Sequence, residues 1–272
     1  MSTDPTDLQP PHLDPVWAQV TVEFTDYATA EQIMSQRLLP TINDVATLWW
    51  FVRKAPHWRL RYLPEQPDRA ADAHRAVTEV LNNLQSSERI RTWFDTIYEP
   101  ETHAFGGTDG MAIAHRLFHH DSKYILTRPI GPDHRREHTI LLCSVLLRAA
   151  GQDWYEQGDV WARVAENRPP RPQTADEPQP SFTAGLKRLM SVDASPNSPL
   201  LQPDGGLADL AEWTTAFQTA GNVLGGLARH GQLTRGLRAI LAHHVIFHWN
   251  RLGLPYQTQS LLAATAREVV FG

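Results

Sequence analysis

Leu48-Trp49-Trp50-Phe51-Val52-Arg53-Lys54-Ala55-Pro56-His57-Trp58-Arg59-Leu60-Arg61-Tyr62-Leu63 carries the strongest structural signal in the chain. Its first part is an unbroken aromatic and aliphatic run, the pattern of a buried strand. Lys54-Ala55-Pro56 supplies turn residues, and from His57 the chain alternates polar and apolar. The spacing predicts an antiparallel hairpin. In an ideal strand His57, Arg59 and Arg61 share one face, and Trp58, Leu60 and Tyr62 share the other. The aromatic face is expected to pack on helices and leave the cationic face open.

Working outward, Trp17 to Phe24 alternates over much of its length and reads as another strand. A helix is expected over Thr29–Leu39, with Glu31 in its first turn where it suits the dipole. Asp68–Leu84 is amphipathic, with Ala76, Val77, Val80, Leu81 and Leu84 on one side, and Ile90–Tyr98 is a fourth strand. The order β-α-β-β-α-β is that of a ferredoxin-like split βαβ unit. Helices are expected over Gly110–Ser122, His138–Ala150, Tyr155–Glu166, Phe182–Met190, Leu207–Leu227, Leu233–Arg251 and Leu261–Val270. The predicted class is α+β: a ferredoxin-like split β-α-β N-terminal half and a mainly α-helical C-terminal half. The expected divisions are a flexible N-terminus (1–15), an α+β sheet region (16–107) and a helical region (108–272), packed as one unit. A proline-rich loop (167–180) interrupts the helical region.

With 272 residues, 42% hydrophobic and 20% charged, the composition is that of a soluble globular protein. A net charge of −5 argues against a general nucleic-acid or membrane-surface binder. The single Cys143 lies in an apolar run and reads as buried helix filler. Met1–Asp14 has no signal-peptide pattern, so the cytoplasm is the expected compartment. There is no phosphate-cradling glycine loop, no Gly-x-Ser-x-Gly elbow and no His-Glu-x-x-His, so common kinase, dehydrogenase and hydrolase chemistry has no support. No metal site and no cofactor are expected.

Three clusters remain. Tyr98-Glu99-Pro100-Glu101-Thr102-His103-Ala104-Phe105-Gly106-Gly107 gathers a phenol, two carboxylates and an imidazole before two glycines. It is either a shaped functional loop or a solvated turn capping the next helix. His115 and His119 are one helical turn apart, followed by Asp121-Ser122, a spacing too sparse for a metal site without a third ligand. His244, His248 and Arg251 share a helical face from which Asn250 is turned away. They form either a buried, backbone-bonded set or a proton-handling wall. The hairpin cations on the face of His57, Arg59 and Arg61, with Arg53 nearby, repel one another unless an anion meets them. That anion is a ligand or simply Glu99 and Glu101.

With these clusters in this order, the chain resembles the C-terminal domain family of lantibiotic dehydratases, also called the thiopeptide-type bacteriocin biosynthesis domain. The resemblance is carried by Phe51-Val52-Arg53 with His57-Trp58-Arg59-Leu60-Arg61, by Tyr98-x-Pro100-Glu101 leading to Gly106-Gly107 and Asp121-Ser122, and by the run ending Asn250-Arg251-Leu252. It spans nearly the whole chain and implies a stand-alone member without the glutamylation domain. Two activities are known in the family: elimination of glutamate from glutamylated Ser or Thr, and pyridine synthesis by formal [4+2] cycloaddition of two dehydroalanines with loss of water and leader peptide. Elimination members carry an arginine where this chain has Ala104, and a late-helix histidine where it has Ile246. A lost charged hydrogen-bond partner to a carboxylate costs about 1.5–3 kcal/mol. The resemblance therefore implies a pyridine synthase, with elimination or a non-catalytic peptide escort as alternatives. It implies Tyr98, His115 and His248 as catalytic residues. Substrate binding would fall to Arg53, His57, Arg59, Arg61, Glu99, Glu101, His103, Phe105, Ser122, His244, Asn250 and Arg251. The implied partner is a precursor peptide with its leader and a dehydrated, azole-containing core; a homodimer is compatible with it.

Overall fold

A computed structural model describes residues 16–128, 131, 134–170, 180–195 and 197–272. The expected flexible N-terminus (1–15) and most of the proline-rich loop (171–179) lie outside them. Four strands, β1 (Ala18–Phe24), β2 (Ala46–Lys54), β3 (His57–Pro64) and β4 (Ile90–Thr96), form an antiparallel sheet in the order β2-β3-β1-β4. That order, with helices in both crossovers, is the ferredoxin-like topology expected from the sequence, and the fold is α+β.

The first crossover departs from expectation. Short helices α1 (Ala30–Ile33) and α2 (Leu39–Val45) are joined through a wide π turn over Met34–Leu38, so the helical path continues past Pro40 instead of stopping at Leu39. Proline has no N–H and its ring strikes the carbonyl four residues back, and a widened turn makes room for it. The second crossover is α3 (Ala70–Ser86). β4 ends at Thr96, two residues short of the expected Tyr98, which frees Tyr98 to turn towards the helices.

One face of the sheet presents Val20, Val22, Trp49, Phe51, Trp58, Leu60 and Tyr62, which pack with Met34, Leu38, Val77 and Leu81 in the main core. The same cluster continues through the helical half to Val270. Burial of this apolar area is the chief driving force for the fold. The helical half comprises α4 (Thr108–Thr127), α5 (Arg135–Ala149), α6 (Trp154–Glu166), α7 (Pro180–Ser191), α8 (Ala211–Arg229), α9 (Leu237–Leu252) and α10 (Tyr256–Phe271). Helix α4 outruns its expected end at Ser122 by five residues. Asp121 and Ser122 do not stop it because their side chains are engaged by other elements. Trp213 Nε1 donates to Asp121, and the backbone N–H of Phe51 donates to Ser122 Oγ at 3.2 Å. His119 Nδ1 lies 3.2 Å from the Trp49 backbone nitrogen, so α4 also covers the otherwise open edge of β2.

The second face is not left open. Trp50 and Val52 pack with Phe105, Met111, Ala114 and Phe118 beneath α4, which explains why the run from Leu48 to Val52 shows no alternation. Cys143 is buried, as expected, and burial pushes its thiol up to about 12, which leaves it unreactive.

Candidate active site

After β4 the chain is steered by Phe105, which is fully buried with its ring 5.3 Å from Phe118, 5.1 Å from Phe247 and 5.0 Å from His244. Gly106 and Gly107 follow with φ of +87° and +104°, values that L side chains rarely adopt. A Cβ on Gly106 would also press on Ile240 Cδ1, so the positive φ requires glycine there and the packing favours it. The strap is held by the Thr234 N–H donating to the Gly106 carbonyl at 2.9 Å.

This turn delivers Tyr98 to α4, where its hydroxyl lies 2.8 Å from His115 Nε2. Trp17 covers the imidazole at 4.4 Å, and the Arg61 guanidinium sits between the rings of Trp50 (4.1 Å) and Tyr98 (4.7 Å). Gln19 holds that cation in place: its Oε1 accepts from Arg61 Nε at 2.5 Å while its Nε2 donates to Thr96 Oγ1 at 2.6 Å. Burial raises the Tyr98 phenol, with Arg61 opposing. Burial, with Arg61 adding to it, lowers His115 to about 4. Near neutral pH the phenol is therefore protonated and the imidazole neutral, and the imidazole tautomer sets which of them donates. Burial also brings Arg61 down to about 10, with Glu101 opposing. The pair lines a cavity of about 740 Å³ with Trp17, Ile97, Met111 and Ala112 among its walls.

Tyr98, His115, Arg61 and Phe105 thus come together, and Glu101 stands close enough to act on Arg61. The expected open cationic face is corrected: Arg61 is buried under aromatic rings, and Arg53 lies on the opposite face. Its parity decides this, because Val52, not Arg53, pairs with Arg59 across the ladder. Arg53 is bound to Glu31 and donates to the Arg251 carbonyl at 2.6 Å. His57 faces Glu23 at 3.7 Å, and Arg59 stays half-buried on the sheet. Glu99 and His103 are exposed and outside the cluster, since the loop pivots on Phe105. Ser122 serves the β2 edge, and Asn250 accepts from Gln259 at 3.4 Å, away from the cavity.

His248 and Arg251 are fully buried around Asp121, at 3.0 Å and 2.6 Å, and His244 is buried against Phe105 and Phe118. His248 therefore cannot touch a substrate in the cavity. Trp17, Gln19 and Trp50 were missed; Gln19 and Thr21 at alternate positions of β1 were the one available sign of a polar second face. Among the described residues, no group of three or more His, Cys, Asp or Glu could hold a metal ion.

Burial lowers His115 and His119 to about 4 and His244 to about 3, below the ordinary 6.5. The folded state therefore binds fewer protons than the unfolded chain between those values, so stability is full above 6.5 and falls as pH drops towards 4. Thermal melts from neutral to acid pH should show a progressive fall in Tm, less steep in His244→Phe. A flat profile would show that these imidazoles are not buried in the neutral form.

An α+β domain with a ferredoxin-like sheet, a helical half and an aromatic-walled Tyr–His pair is the class defined by this fold and site. The chain belongs to the lantibiotic biosynthesis dehydratase C-terminal family, whose sequence profile matches residues 17–270. The family's description places it in lantibiotic biosynthesis. Its fold is similar to that of the tRNA dependent lantibiotic dehydratase MibB from Microbispora sp. 107891, at 18% identity and a TM-score of 0.67, over 99% of this chain and 29% of that one. It is also similar to TsrL, at 14% identity and a TM-score of 0.56, over 93% of this chain and 97% of that one. No curated protein matches it. Among the described residues, no helix is long and apolar enough to cross a membrane.

Proposed function

We propose that this domain closes a pyridine ring in a precursor peptide by formal [4+2] cycloaddition of two dehydroalanines. The supporting observation is the neutral Tyr98–His115 pair on the wall of a largely apolar cavity that, among the described residues, is lined by no arginine for a glutamyl carboxylate. Arg53 is committed to Glu31, and Arg61 is stacked between two rings. In the proposed mechanism the cavity holds both dehydroalanines in contact, which converts a bimolecular encounter into a positioned one. The phenol passes its proton to His115 as it takes the amide N–H proton, and the imidazolium returns one to the carbonyl oxygen. The resulting iminol supplies the azadiene. Arg61 above the ring stabilises the transient phenolate. Loss of water and of the leader as its carboxamide then aromatises the ring, so neither an oxidant nor a cofactor is needed. Positioned acid–base help of this kind is worth about 10²–10⁴ in rate.

Mass spectrometry on two peptides tests the reading. A linear bis-dehydroalanine peptide should be consumed with leader release, and a glutamylated peptide should be unchanged. Glutamate loss from the second peptide, with the first untouched, would make the domain an eliminase. Leader binding without any mass change would make it an escort.

A further inference from the structure

A second groove flanks α4 on the side away from His115. Two adjoining cavities, of about 440 Å³ and 330 Å³, share His120, Glu212 and Ala216 and run between α4 and α8. The floor of the larger is apolar, built from Ile113, Leu117, Ala220 and the exposed Val223. The rim is cationic: Arg116 and Lys123 are exposed on α4, and Arg128 closes the far end. Among the described residues neither Arg116 nor Lys123 has an ion-pair partner, and the one carboxylate lining either cavity, Glu212, lies 3.6 Å from Arg128. In a chain of net charge −5 this is a local excess of the opposite sign. The exposed surface of α4 links this groove to the first cavity. Ala112 lines the cavity at Tyr98–His115 and begins an exposed α4 stripe that runs through Arg116, His120 and Lys123 to Thr127. The stripe is about 22 Å long, the span of about seven extended residues.

We infer that the α4–α8 groove is a docking site for an acidic, partly apolar segment of the precursor peptide, held away from the reacting residues. Leucine-like side chains would cover the apolar floor while carboxylates meet Arg116 and Lys123, so charge sets the preference and burial adds affinity. Holding a remote segment fixes the reacting one at high effective concentration in the first cavity. That the occupant is the precursor rests on the peptide-modifying reading above; the preference for an acidic chain does not.

The test is fluorescence anisotropy on the full chain, with a labelled probe of about 14 residues carrying Leu and Glu at helical spacing. A counterpart has Gln for every Glu. The acidic probe should bind about tenfold or more tightly than the Gln probe, with affinity falling as salt rises. The double variant Arg116→Glu, Lys123→Glu should lose about tenfold or more, and the exposed control Arg75→Glu on α3 should lose nothing. Both substituted positions are on the surface, and unchanged circular dichroism verifies folding. Equal binding of the two probes, or an unaffected double variant, overturns the inference. So does an RNA oligomer that binds through the same residues more tightly than the peptide. The probe has no dehydroalanine, so its binding is independent of whether the domain closes a ring.

Discussion

Asp121→Ala is expected to lower the melting temperature by on the order of 10 °C. Asp121 is fully buried and accepts from Trp213 Nε1 at 2.9 Å and Arg251 Nε at 2.6 Å, with His248 Nδ1 at 3.0 Å. Burial alone would raise its carboxyl, but His248 and Arg251 outweigh that and hold it below the ordinary 3.8. The stability it contributes is therefore present above that value and lost as pH falls through the lowered one. Removing the carboxylate strands the Arg251 cation, which is fully buried 4.2 Å over the Phe118 ring. Breaking a buried pair from one side costs about 3–5 kcal/mol, whereas replacing both partners with apolar groups is often close to neutral. At this chain size each kcal/mol moves Tm by about 2–4 °C. Asp121→Leu with Arg251→Met should accordingly recover much of the loss. A loss within about 1 kcal/mol for Asp121→Ala would mean that Arg251 has another counter-charge or water contact. The damage should also reach the cavity, because Phe118 stacks on Phe247 and packs 4.8 Å from Trp50.

Local periodicity alone makes the sheet and the shared face of His244, His248 and Arg251 legible in the sequence. Their partner was not: Asp121 lies 127 residues from His248, and a helical wheel carries no information about what meets it. The same limit hides the fate of the hairpin cations. Arg61 alternates like an open-face residue, yet Trp50 and Tyr98 enclose it, and neither is adjacent to it in the chain. Arg53 stands near Arg59 and Arg61 in the hairpin, but the ladder register sets it opposite Trp58, on the other face of the sheet. In the Tyr98–Gly107 loop, composition identified the region, but only the burial of Phe105 separates Tyr98, turned inwards, from Glu99 and His103, turned out.

Tyr98→Phe is expected to reduce turnover on a bis-dehydroalanine peptide by about 10²–10⁴ while leaving KM near its wild-type value. The ring that packs on Trp17 at 5.8 Å and carries Arg61 is kept, and only the hydroxyl that bonds His115 is removed. A shape-preserving loss of this kind separates proton transfer from binding. The pH profile supplies the second readout. In the wild type His115 is neutral above about 4, so activity should hold from neutral pH down towards that value and fall below it, where the enzyme is also losing stability. Trp17→Ala should move that acid limb upwards, towards 6.5, because exposing the imidazole removes the burial that lowers it. The two substitutions therefore act in different ways, Tyr98→Phe on the height of the profile and Trp17→Ala on its position. If Tyr98→Phe turns over at the wild-type rate, the amide is not tautomerised through this pair. The cavity would then act by holding the two dehydroalanines together, and the proton would have to move through solvent or through the substrate itself.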